Sequence, residues 1–242
     1  MSTLKSNVIE PATGTNLSLG AGGDLIDVPS DALQLNTWKD SGGNTLFTSD
    51  GAGNLSSVNS ALDIGGGPNL IQTQTASGAS EVQFTSGLDS TYDKYMFVYL
   101  DINPATDDVS FGFQVSTDGG SSYGVAKTTT AWNVYHDEAD TSAAYQYASS
   151  FDLAQGTGLQ SLSMSQGNDA DASAAGILYF FAPSSTTYVK HFYSRCESNH
   201  QANYAQDVFI AGYVNTTSAV DAIQFKFNSG NFDGTIKMYG CR

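Results

Sequence analysis

From Leu70 onward, apolar and polar residues alternate with a period of two. Ile223, Phe225 and Phe227 are separated by Gln224 and Lys226, and Phe111, Phe113 and Val115 by Gly112 and Gln114. That spacing puts the apolar set on one face of an extended chain, so each stretch predicts a half-buried strand. Tyr95 to Leu100 and Ile177 to Phe181 are apolar on both faces and predict central strands. The run from Val208 to Val214 predicts another. Weaker patterns predict strands at 70–75, 81–85, 143–151, 158–164, 187–195 and 234–239. Between them stand turn sequences such as Asp118-Gly119-Gly120, Gln166-Gly167-Asn168-Asp169 and Ser229-Gly230-Asn231. No stretch sustains a 3.6-residue period. About ten strands in this length predict an antiparallel β-sandwich, jelly-roll-like, as the fold of residues 70–242.

Residues 1–64 have a different texture. Short apolar pairs are separated by Gly, Asn and Asp, and a weak repeat of about 30 residues is visible. Gly20-Ala21-Gly22-Gly23-Asp24-Leu25 followed by Val28 resembles Gly51-Ala52-Gly53-Asn54-Leu55 followed by Val58. Each unit reads as strand, glycine turn, short strand. The large apolar residues are too few to close a core in one copy. Leu17, Leu19, Leu25, Leu35, Trp38, Phe47 and Leu55 are therefore the candidate contacts to further copies or to an anchoring protein. Residues 65–69, Gly-Gly-Gly-Pro-Asn, predict a linker between this segment and the sandwich. The whole chain is thus expected to be all-β, an oligomeric stalk or anchor followed by a sandwich head.

Charge narrows the partners. The 242 residues carry 9 Lys and Arg against 24 Asp and Glu, a formal charge of −15. Nucleic acid is not an expected partner, because phosphate binding needs clustered cations. An anionic membrane surface is disfavoured for the same reason. The longest apolar stretches fall short of the ~18 residues of a membrane span, so no insertion is expected. Met1 to Asn7 holds no apolar h-region, so no export signal is expected. Cys196 and Cys241 form no Cys-x-x-Cys motif. A single disulfide between them is one alternative, but without export two reduced thiols are expected, with penultimate Cys241 exposed.

Candidate chemistry is sparse. His136, His191 and His200 sit in no nucleophile frame, so no catalytic residues and no enzyme are expected. His191 falls in a strand pattern and reads as structural, whereas His136 and His200 fall in expected loops. Asn168-Asp169-Ala170-Asp171 starts like a calcium loop but lacks the later glycine and glutamate, so no metal and no cofactor are expected. With 24 acidic residues, some glycosidase-like carboxylate pair always exists, and none stands out. Aromatic rings beside polar groups are the usual means of gripping sugars, since C–H faces stack and hydroxyls hydrogen-bond. Tyr145 and Tyr147 share a strand face with Ala143, Ser149 and Phe151 and are expected in the core. Trp132, Tyr135 and His136, with Asn199, His200 and Tyr204 of the polar, loop-like segment Glu197–Tyr204, are the candidate ligand contacts.

Several stretches resemble structural proteins of tailed bacteriophages, especially tail-fibre-like proteins of marine and cyanobacterial phages. Ser2-Thr3-Leu4-Lys5 through Gly14-Thr15-Asn16-Leu17 resembles their N-terminal segments, as does Thr45-Leu46-Phe47-Thr48-Ser49-Asp50-Gly51 with Gly53-Asn54-Leu55-Ser56. Tyr95 to Asn103, Val115 to Tyr123, and the ending Ser229 to Phe232 with Gly234 to Gly240 resemble a β-rich module of such proteins. The resemblance covers about half the chain, and the loops 127–147 and 165–172 match nothing in it. It implies a virion-bound homo-oligomer, commonly a homotrimer, with the N-terminus anchored to other virion proteins and the C-terminal domain outward. It implies no catalytic residues. The expected function is a virion structural protein, assembled in the host cytoplasm and released by lysis. Its head would bind a host-surface glycan or decorate the particle. The alternative is a stand-alone carbohydrate-binding module or lectin, and a capsule depolymerase is a third class, disfavoured by the missing catalytic frame.

Overall fold

A computed structural model describes residues 37–40, 42–50, 52, 55–58 and 67–241. Leu17, Leu19, Leu25 and Leu35, and the first copy of the repeat, lie outside the described residues. The chain divides into two compact units, Met1–Gly65 and Gly66–Arg242. The described residues form fifteen strands and no helix, so the fold is all-β and its pairings are antiparallel. None of them forms a helix long and apolar enough to cross a membrane.

In the first unit, β1 (Thr37–Lys39), β2 (Thr45–Ser49) and β3 (Leu55–Val58) make a sheet in the order β1-β2-β3. Asp40 closes the first hairpin, its carboxylate accepting from the Gly42 and Asn44 amides at 2.9 Å each. Those bonds pull the Asp40 carboxyl below its ordinary pKa, the Asn44 side chain first. Trp38 lies opposite Phe47 and stacks on it, ring centres 5.5 Å apart.

The second unit is a sandwich of unequal sheets. Eight strands run in the order β4 (Asn69–Ala79), β15 (Phe232–Cys241), β6 (Lys94–Pro104), β11 (Ala174–Phe181), β12 (Lys190–His200), β13 (Tyr204–Val214), β8 (Lys127–Asp137), β9 (Ala143–Tyr147). Four run in the order β10 (Gln160–Ser161), β7 (Phe111–Ser116), β14 (Ala222–Phe227), β5 (Val82–Phe84). From β4 to β8 each successive strand crosses to the other sheet, as strands of a jelly roll do.

The alternation explains the packing. Phe111, Phe113 and Val115 point inward from β7, and Ile223, Phe225 and Phe227 from β14, all essentially without exposure. Tyr95, Phe97 and Tyr99 meet them from β6. Phe111 is the hub, with ring centres of Tyr99, Phe225, Phe227 and Phe232 between 5.4 and 5.9 Å from its own. Interlocked rings of this kind carry much of the burial free energy of a sandwich, roughly 1.5–3 kcal/mol for each ring.

Four sequence expectations change. Residues 127–137 are not a loop but the eleven-residue strand β8. Glu197 to His200 continues β12, and a tight turn leads straight into β13, with Asn203 at φ 61° and its amide bonded to the His200 carbonyl at 2.9 Å. His136 and His200 therefore sit on strands. Tyr145 and Tyr147 are not core, being 70% and 59% exposed. The reason is position, because β9 is the sheet's edge strand and those rings lie on its outward face. Phe151 does pack against the core. Cys241 is buried rather than exposed, since β15 runs between β4 and β6 to its last residues. Cys196 and Cys241 are free thiols, and burial pushes the Cys196 thiol up to about 12.

Candidate functional site

The candidate contact residues fall on both faces of the eight-stranded sheet. Even-numbered residues of β12 and β13 point into the sandwich, as do odd-numbered residues of β8. Tyr135, Tyr204 and His200 therefore share the inward side. Tyr204 is stacked upon by both neighbours, with Tyr135 at 5.2 Å and 12° and His200 at 5.0 Å and 16°. His200 Nδ1 accepts the Ala202 amide at 3.0 Å, and burial lowers its pKa against the opposing pull of Asp108 and Asp107. Both faces of the Tyr204 ring are thus taken up within this cluster at the end of the sheet. His136 points outward and meets Asp140 at 3.0 Å. Asn199 also points outward, and its Oδ1 accepts the Ser173 amide at 3.3 Å.

Trp132 belongs to a larger assembly on the outward face. Strand register aligns Tyr147, Trp132, Phe209, Arg195, Ile177 and Val98 across six neighbouring strands. The Trp132 and Phe209 rings stack 3.8 Å apart at 7°, and Tyr145 leans on Trp132 at 5.2 Å. Arg195 lies over the other end of the row, its guanidinium carbon 5.0 Å from the Phe209 ring centre. Asp207 holds that guanidinium in place, accepting from Nε at 3.0 Å and from Nη2 at 2.7 Å. This bond and the carboxylate charge raise the Arg195 pKa. A cation–π contact and a two-point carboxylate bridge together fix the side chain with little freedom to lose on binding a ligand.

Beside Arg195 the outward face sinks into a depression of about 440 Å³. It arises because Ala175 places almost no side chain there, while Ile177, Tyr179, Tyr193, Arg195 and Glu197 stand around it. Gly176 is obligatory, because a Cβ would lie 2.4 Å from the Arg195 carbonyl and 2.7 Å from the Tyr99 ring beneath. Tyr99, on the inward side of the sheet beneath, is held by its hydroxyl against Ser194 Oγ at 2.9 Å. Tyr179 and Tyr193 form one wall, ring centres 5.1 Å apart. Glu197 stands on the rim, and burial, then the charge of Asp207, raises its pKa. Its carboxylate takes no hydrogen bond or ion pair among the described residues.

Glu197 falls within the expected contact segment, but Tyr179, Tyr193 and Arg195 were not anticipated. Their signal is the outward half of the β12 alternation, Tyr193, Arg195, Glu197, set against inward Phe192, Ser194 and Cys196. No group of His, Cys, Asp and Glu among the described residues is arranged to hold a metal. No family model, no curated protein and no solved structure matches the chain.

Proposed function

We propose that this chain is a non-catalytic, glycan-binding structural protein of a tailed-bacteriophage virion, a tail fibre or similar appendage. Residues 1–64 attach it to other virion proteins and associate with their counterparts, in a homotrimer. Residues 70–242 present the outward face of the eight-stranded sheet to a host-surface saccharide. One observation carries the binding half of this reading: the aligned aromatic row that ends in a fixed arginine and an apolar depression. Stacked rings with adjacent charged groups suit the alternating C–H and hydroxyl surfaces of sugars. The virion half is supported by the resemblance of the N-terminal segments. Exposure of Trp38 at 42% and Leu55 at 55% on the small sheet also supports it.

Mass spectrometry and cryo-electron microscopy of purified particles test the virion assignment, with the chain expected in stoichiometric copy number. A glycan array probed with the full chain tests the binding face, and binding is expected to weaken at least tenfold in Trp132→Ala. Sugar binding by a chain absent from particles would support the alternative, a free carbohydrate-binding module or lectin.

A further inference from the structure

We infer that the depression between Ala175, Tyr179, Tyr193 and Glu197 is a subsite for one N-acetylated hexosamine residue, the acetamido group entering it and the sugar ring lying against Tyr193. The inference rests on the saccharide-binding reading and specifies where on the face the discrimination is made and for what chemistry.

Size comes first. A volume of about 440 Å³ admits one sugar ring with a substituent, and the depression opens on the outward face. Polarity comes second. The floor is Ala175, Ile177 and the backbone of Gly176, which offers a methyl group contact but no hydrogen bond from a side chain. A bare hydroxyl placed there would lose its water without replacement. An acetyl methyl would not.

The rim supplies what an amide needs. Glu197 is the one rim carboxylate left unpaired, since Asp207 is engaged by Arg195. A carboxylate accepts the acetamido N–H, and the Arg195 nitrogen Nη1, which takes no part in the Asp207 bridge, is available to the amide carbonyl. Donor, acceptor and methyl of one acetamido group thus meet acceptor, donor and apolar floor.

Charge excludes the neighbouring classes. Two carboxylates against one guanidinium leave the rim negative, within a chain of net −15, so uronic and sialic acids are repelled. A protonated amino sugar lacks the acetyl methyl and carbonyl, so it would leave the apolar floor uncovered and set its ammonium beside the Arg195 guanidinium.

The test is saturation-transfer NMR and calorimetric titration of the full chain with the methyl glycosides of N-acetylglucosamine, glucosamine and glucose. The acetylated sugar is expected to bind about tenfold more tightly than the other two, with the strongest transfer to its acetyl methyl. Ala175→Phe, which fills the depression from a solvent-facing position, is expected to abolish that preference. Glu197→Gln is expected to weaken binding about tenfold, and Tyr188→Ala, at a 74% exposed position outside the depression and the aromatic row, to leave monosaccharide affinity unchanged. Circular dichroism of each variant separates lost binding from lost folding, and Tyr193→Ser provides a second removal of the wall. Equal affinity for the three glycosides, or a preference that survives Ala175→Phe, overturns the inference. If array glycans then still bind in a Trp132-dependent way, the saccharide-binding reading stands without this subsite. If no saccharide binds by any method, both fall.

Discussion

Two lysines show how single residues are accommodated in this sandwich. Lys127 and Lys190 are fully buried, and they flank Val214 from either side on the inward face. Neither has an ion-pair partner among the described residues. Lys190 Nζ donates to the Tyr188 and Thr216 carbonyls, both at 3.0 Å, but Lys127 Nζ reaches only the Val125 carbonyl at 3.1 Å. Burial lowers both pKa values, that of Lys127 from 10.5 to about 8. A lowered folded-state pKa means that the folded chain binds fewer protons than the unfolded chain between these limits. Stability therefore rises with pH from about 8 to 10.5, as the cost of the buried charge is relieved. Below pH 8 that cost is fully present. Lys127→Met removes it at every pH, so the stability difference between variant and wild type is expected to shift by up to about 3 kcal/mol across the window, in favour of wild type. Urea unfolding of both proteins at closely spaced pH values checks this, since other titrating groups cancel in the difference. A difference that stays flat would show the ammonium to be solvated in the folded state.

At the scale of elements, legibility followed where the apolar residues point. β6, β7, β11 and β14 put Phe, Tyr, Val and Ile inward, so their alternation or continuous apolarity was readable directly. β8 reverses the rule. Its inward residues include Lys127, Thr129, Ala131, Asn133 and Asp137, while Trp132 and Val134 face out. A strand whose inward face is polar or small apart from Tyr135, with Trp132 and Val134 facing out, carries little hydrophobic signature of a core. Only its threonines hint at extension, and its pairing with β13 is not written in one segment. β12 was half legible, because its inward Phe192 and Cys196 read as a strand while the outward Tyr193, Arg195 and Glu197 read as surface. The depression was invisible for the same reason, since it needs β11 and β12 in register. Gly176 marks that register, and Gly176→Ala tests it. The added carbon would press on backbone, which cannot yield as a flexible side chain can. A loss of about 1–3 kcal/mol in unfolding free energy is expected, with a lower melting temperature in calorimetry. An unchanged melting temperature would mean that β11 and β12 separate more easily here than the close contact implies.

For the whole molecule, the −15 charge and the small N-terminal sheet pull in opposite directions. Three strands of three to five residues cannot form a stable core alone. Trp38, Leu55 and Val58 are each more than a third exposed, so the sheet presents apolar surface at its most stackable residues. Covering that surface with equivalent copies is favourable at roughly 25 cal/mol per Å² of apolar area. Yet each added copy brings another 15 net negative charges, which repel over the Debye length. Apolar burial is indifferent to salt and the repulsion is not. Association of the full chain is therefore expected to strengthen as salt rises from about 20 mM to about 150 mM, where screening shortens to about 8 Å. Sedimentation equilibrium across that range should show a mass tending to three copies, and Trp38→Ser should shift it toward one. A monomer at every salt concentration and at micromolar protein would sink the trimeric stalk. The exposed residues of the small sheet would then need a cover other than a second copy.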